Sequence, residues 1–148
     1  MNKFFAAIII AVVYSASAVS AEKVIDCKIT HTLHHDVDTV SITYKLHMAD
    51  NIGTMIMYGI FDEAGKKSII SRQVMFDYKS VDDTGYQLVS KEIISFSAET
   101  VSLDAMQRHY PGFFLKEGMH LFMSISDFSE YSLAISYVSD VLFICSKP

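Results

Sequence analysis

From Val40 onward the apolar residues fall on every second position, Val40, Ile42, Tyr44, Leu46 and Met48, with Ser41, Thr43, Lys45 and His47 between them. This period of two constrains the fold more than any other feature. Successive side chains of a strand point to opposite faces, so such alternation describes an antiparallel strand with one face buried and one wet. The pattern returns at Ile69 to Tyr78, where Ile70, Val74, Phe76 and Tyr78 are in phase and Arg72 shares their face. It returns again at Tyr86 to Phe96 (Tyr86, Leu88, Ile94, Phe96), at Met119 to Ile125, at Tyr131 to Ile135 and at Val141 to Cys145. Thr54 to Phe61 is apolar on both sides, with Ile56, Tyr58 and Ile60 on one and Met55, Met57 and Phe61 on the other. That suits a central strand, or a barrel strand that touches both core and shell.

Turn chemistry separates these runs. Asp50-Asn51 followed by Gly53, Asp62-Glu63-Ala64-Gly65 and Asp82-Asp83-Thr84-Gly85 supply residues that tolerate positive φ or bond their own backbone. The period changes once: Ser102 is placed to cap a short helix over Leu103 to His109, with Asp104 in its first turn and Pro111-Gly112 ending it. With Val24 to Leu33 as the first strand, the expected fold is mostly β: an antiparallel barrel or sandwich of about eight strands with one short α-helix.

A chain of 148 residues holds one domain of ordinary size. Residues 1–21 read as an export signal: Met-Asn-Lys, an apolar run from Phe4 to Val13, then small residues from Ser15 to Ala21, with cleavage expected before Glu22. The uncharged stretch from Phe4 to Ala21 also reaches the ~18 residues that cross a bilayer, so retention as an uncleaved anchor stays open. Residues 22–148 form a single β-rich domain. The formal net charge of −5 argues against nucleic acid and anionic membrane surfaces, since both need basic patches to displace counterions.

The two cysteines, Cys27 and Cys145, lie near the ends of the exported part. An even count in an oxidising compartment predicts a disulfide between them, with a pair of buried thiols as the alternative. Closing so long a loop stabilises by roughly 4–5 kcal/mol in the chain-entropy treatment.

No catalytic set is assigned. There is no Gly-x-Ser-x-Gly elbow, Gly-rich phosphate loop or CxxC pair, and the carboxylate pairs sit in turns where solvation explains them. No cofactor is expected. His31, His34, His35, Asp36 and Asp38 are ligand-type residues, but on a strand His31 and His35 share a face while His34 points away. Solvated hairpin histidines are therefore expected, rather than metal ligands; a response to pH is the other chemistry open to them. The methionines Met55, Met57, Met75, Met119 and Met123 suit either core filling or an adaptable apolar pocket.

Several motifs together resemble the FidL-like family of small membrane or periplasmic proteins. They are Asp26-Cys27-Lys28-Ile29; the glycine-containing strand Ile52-Gly53-Thr54-Met55-Ile56-Met57-Tyr58-Gly59; Ser71 to Tyr78 with Arg72, Phe76 and Tyr78 as an R-x-x-x-F-x-Y signature; Tyr86-Gln87-Leu88; Phe113-Phe114; and Val141-Leu142-Phe143-Ile144-Cys145. The likeness runs from Cys27 to Cys145. It departs at Asp140, where the pattern has Pro, and in the small-residue cleavage site, where the pattern has a membrane anchor.

The resemblance implies a partner rather than a reaction. Members are similar to ToxS-like accessory proteins of ToxR-like transmembrane transcription regulators; in one related arrangement accessory subunit and regulator build a shared barrel that senses bile salts. The expectation is a non-enzymatic accessory protein of the periplasm, free or tethered to the inner membrane, that binds and stabilises or tunes a regulator's periplasmic domain. Tyr58 and Ile60, or their opposite-face neighbours Met55 and Met57, are the expected contact, unless the Leu103–His109 helix covers that strand. The alternative is a barrel-type carrier or sensor of a small apolar ligand such as a bile salt or lipid.

Overall fold

The computed structural model describes residues 23–138 and 141–148. The export segment, its cleavage before Glu22 and the Asp140 departure lie outside the described residues.

The alternating segments form eight strands: β1 (Ile25–His35), β2 (Asp38–Ala49), β3 (Ile52–Glu63), β4 (Lys66–Ser80), β5 (Gly85–Ser95), β6 (His120–Ser129), β7 (Ser132–Val138) and β8 (Val141–Ser146). Each pairs antiparallel with the next, and β1 pairs with β8, so the sheet closes into an up-and-down barrel. Asp50 and Asn51 both adopt positive φ (53° and 63°), as do Ala64 and Gly65 (50° and 90°), which matches the right-handed twist of the flanking strands. The Gly65 N–H also donates to the Asp62 carboxylate at 2.7 Å.

Two glycines of β3 let the barrel curve and fill. A Cβ at Gly53 would meet the Phe76 ring at 2.2 Å, and one at Gly59 would meet the Ser41 carbonyl at 2.3 Å. Only a bare Cα fits at either place.

The sequence phase holds along β2, β3 and β4, where Val40, Ile42, Tyr44, Leu46 and Met48, Met55, Met57 and Phe61, and Ile70, Arg72, Val74 and Phe76 all point inward. It breaks in β5. Phe76 pairs with Ser90 but Met75 with Glu92, so Lys91 is an extra residue, a bulge that reverses the faces beyond it. Ile93 rather than Ile94 therefore packs on the core, and Phe96, expected in phase with Tyr86 and Leu88, is 40% exposed.

Between β5 and β6 runs the one helical segment among the described residues. Helix α1 (Leu103–His109) begins as expected, with Ser102 Oγ accepting from the Ala105 N–H at 3.2 Å, and a 3-10 turn follows at Gly112–Phe114. This segment completes the barrel. β5 and β6 pair only from Gly85 to Val89, and beyond that Ser90 bonds the segment instead: its N–H donates to Met119 O and its hydroxyl to Lys116 O. Ala105, Met106, Phe113 and Phe114 are buried. At the barrel end Arg108 pairs with Glu63 and His109 with Asp38. The helix thus closes one end while Phe113 and Phe114 enter the interior, beside Phe76 and Tyr44 respectively.

Candidate functional site

The structure separates the four residues expected to meet a partner. Met55 and Met57 are 3% and 0% exposed; they fill the barrel and are withdrawn from any surface. Tyr58 and Ile60 are 59% and 49% exposed, on the outer face of β3 together with Ile52 and Ile56. Half-buried Ile69 lies directly across from Ile60 on β4. Helix α1 does not cover this stripe, because its partners are the strand ends at Asp38 and Glu63 and the inward ring of Phe61. On the other side of β3 the stripe meets hydroxyls: Thr43 pairs with Tyr58 and Ser41 with Ile60, and these bond Thr30 and Thr32 on β1. The outer face is therefore an apolar ridge beside a hydroxyl ladder.

The interior holds a second group of polar residues. Arg72, inward as its phase requires, is 5% exposed. Its guanidinium makes a two-pronged pair with Glu99 and donates through Nη1 to Phe114 O at 3.2 Å. One cation thus ties β4 to both ends of the segment that plugs the barrel. Nearby, Tyr44, Tyr110 and Tyr137 gather around Phe114. The hydroxyls of Tyr44 and Tyr110 are buried, and the three phenols lie close enough to act on one another. Burial pushes the pKa of Tyr44 well above the ordinary phenol value, and the neighbouring phenols of Tyr110 and Tyr137 add to it. Tyr110 and Tyr137 are raised too, again chiefly by burial.

Cys27 and Cys145 form the expected disulfide. The bond sits at a thin place in the wall: among the described residues β1 and β8 share one ladder pair, Lys28 with Ser146, whereas β1 and β2 are paired continuously from Ile25 to His35.

The histidines do not converge. His31 points inward, stacked on Tyr44 and against Phe143; His34 bonds Thr39, and His35 lies beside Asp36. Among the described residues no group of three or more His, Cys, Asp and Glu is arranged to hold a metal.

The sequence period placed Arg72 on the inward face, but nothing in it pointed to Glu99, in an irregular stretch, as the acceptor. It also missed the tyrosine group. Tyr in place of Phe at inward Tyr44 was the available signal, since a buried phenol brings a hydroxyl that must be satisfied. No protein-family model matches the chain, and no curated protein matches it.

Proposed function

We propose that this chain is a non-enzymatic envelope accessory protein that binds and tunes the periplasmic domain of a transmembrane transcription regulator, as its resemblance to the FidL-like family implies. The observation that carries the reading is the outer ridge of β3: Ile56, Tyr58 and Ile60, 37%, 59% and 49% exposed, occupy three consecutive outward positions, and Ile52, 56% exposed, extends the row beyond Thr54. Scattered exposed hydrophobics are ordinary, but a contiguous row is an interaction surface. Aromatic residues such as Tyr58 suit the centre of such a contact. The disulfide fits an oxidising compartment.

The test is co-purification of the tagged full-length chain from envelope extracts, with captured proteins identified by mass spectrometry. Tyr58→Asp and Ile60→Asp should remove a captured transmembrane regulator while the domain keeps its fold and disulfide. Met57→Asp, by contrast, should unfold the barrel, because it puts a carboxylate in the core. Undiminished capture of the regulator by both outer variants would reject the ridge as the contact, and capture of no regulator by the wild type would reject the function.

A further inference from the structure

The wall between β1 and β8 is closed in an unusual way. Among the described residues no ladder register beyond the Lys28–Ser146 pair joins the two strands, and side chains meet across the wall above it. His31 of β1 lies with its ring centroid 4.6 Å from that of Phe143 of β8 and 5.4 Å from that of Tyr44 of β2. Phe143 is backed in turn by Tyr137 of β7, stacked at 5.2 Å. Both ring nitrogens of His31 are buried and neither has a hydrogen-bond partner. A neutral imidazole tolerates this as a flat, largely apolar wedge. His31 is half-buried as a residue, but an imidazolium there would carry two N–H donors without an acceptor, which disfavours the charged form.

The groups facing the ring offer no rescue. Tyr44 and Phe143 present ring faces, Tyr137 stands behind Phe143, and the interior charges Arg72 and Glu99 are committed to one another. The aromatic faces attract a cation, but they supply no acceptor for its two N–H groups. In keeping with that balance, burial lowers the pKa of His31 below its ordinary 6.5. The other histidines at this end have acceptors beside them: His34 has Thr39, His35 has Asp36 and His109 has Asp38.

We propose that His31 is an acid-sensitive latch on the β1–β8 wall: neutral, it wedges the gap between Tyr44 and Phe143; protonated, it leaves the gap and lets the strands part above the Lys28–Ser146 pair. The sign follows from linkage. The open state, with a solvated ring, takes up a proton more readily than the closed one, so closure is favoured fully above the ordinary value of 6.5 and weakens as pH falls below it. This device operates within the chain itself and does not depend on the identity of any partner.

The Cys27–Cys145 bond reports the opening, since Cys27 and Cys145 are 4% and 0% exposed in the closed wall. The full chain is treated with a phosphine reductant at about pH 5 and about pH 7.5, either side of the range where histidine titrates, and the rate is normalised to that of a short disulfide peptide. The normalised rate should be severalfold faster in acid for the wild type, and independent of pH for His31→Phe, which keeps the wedge without the proton. Equal normalised rates in the wild type, or an acid effect that survives in His31→Phe, would overturn the proposal. Should that variant not fold, ring-proton NMR of the wild type decides. A His31 midpoint below 6.5 with Phe143 ring resonances shifting at the same midpoint is expected; a midpoint at or above that value, or an unmoved Phe143, overturns it.

Discussion

Removing the Arg72 guanidinium tests the claim that one buried ion pair holds the plug in the barrel. The Arg72 and Glu99 side chains are 6% and 7% exposed, so Arg72→Met leaves a carboxylate in the interior without its cation and strips a donor from Phe114 O. Breaking a buried pair by truncating one partner costs about 3–5 kcal/mol, mostly the penalty on the charge left behind. The orphaned carbonyl alone would cost about 1–3 kcal/mol, and the two effects overlap because they share one side chain. Glu99→Gln should cost less than Arg72→Met, since the amide still accepts one guanidinium bond.

The double variant Arg72→Met/Glu99→Met removes both charges and should recover much of the loss, because apolar replacements of buried pairs are often neutral or stabilising. The assay is urea unfolding of the disulfide-intact protein followed by circular dichroism, with the slope m held as a check on two-state behaviour. Against a typical total stability of about 5–15 kcal/mol, the Arg72→Met loss should be plain in the midpoint. Single-variant losses under ~1 kcal/mol that simply add in the double variant would show a solvated pair, and the plug would then owe its place to Phe113 and Phe114.

Two further outcomes are expected. Replacing Cys27 and Cys145 by Ser should lower stability by about 4–5 kcal/mol, the loop-entropy value for a sequence separation of 118; an unfolding midpoint unchanged from the oxidised wild type would refute that estimate. In alkali, the raised phenols of Tyr44, Tyr110 and Tyr137 remain protonated in the fold while their unfolded counterparts ionise near 10.0. Stability is therefore complete below that value and lost as pH rises above it. Phenolate absorbance should rise in two phases, exposed tyrosines first and the buried group together with unfolding; a single phase complete before unfolding would contradict the burial.

How much of this was legible depends on what each residue pattern encodes. Alternation at Val40 to Met48 gave a strand and its inward face because the wet positions were polar, and Ser102, Asp104 and Pro111 marked the helix because caps are local chemistry. In β3 the same period gave two faces without saying which was inside, since both were apolar. Gly53 and Gly59 carried the answer: they lie on the Met55 and Met57 face, where the Phe76 ring and the β2 backbone approach too closely for any side chain. The bulge at Lys91 left no mark in the sequence, because one inserted residue changes phase without changing composition, and it turned Phe96 outward. Glu99 was invisible as a partner because its meeting with Arg72 is made by the tertiary path of the plug.

Closure of the barrel is the step that pattern reading reaches least, and it is also where the structure is thinnest. Each neighbouring pair from β1 to β4 is joined by a turn of two residues, so its ladder forms at small entropic cost. β1 and β8 are separated by nearly the whole domain, so their meeting carries a far larger loop-closure cost. Their single ladder pair cannot by itself hold so long a closure against chain entropy. The Cys27–Cys145 bond supplies what the ladder lacks, by removing that entropy from the unfolded chain, and the His31 wedge fills what remains of the gap without hydrogen bonds. A wall built in this way is strong under oxidising conditions at neutral pH and weak when either the bond or the neutral ring is lost. The two sensitivities sit four residues apart on β1, at Cys27 and His31, and they act on the same pair of strands.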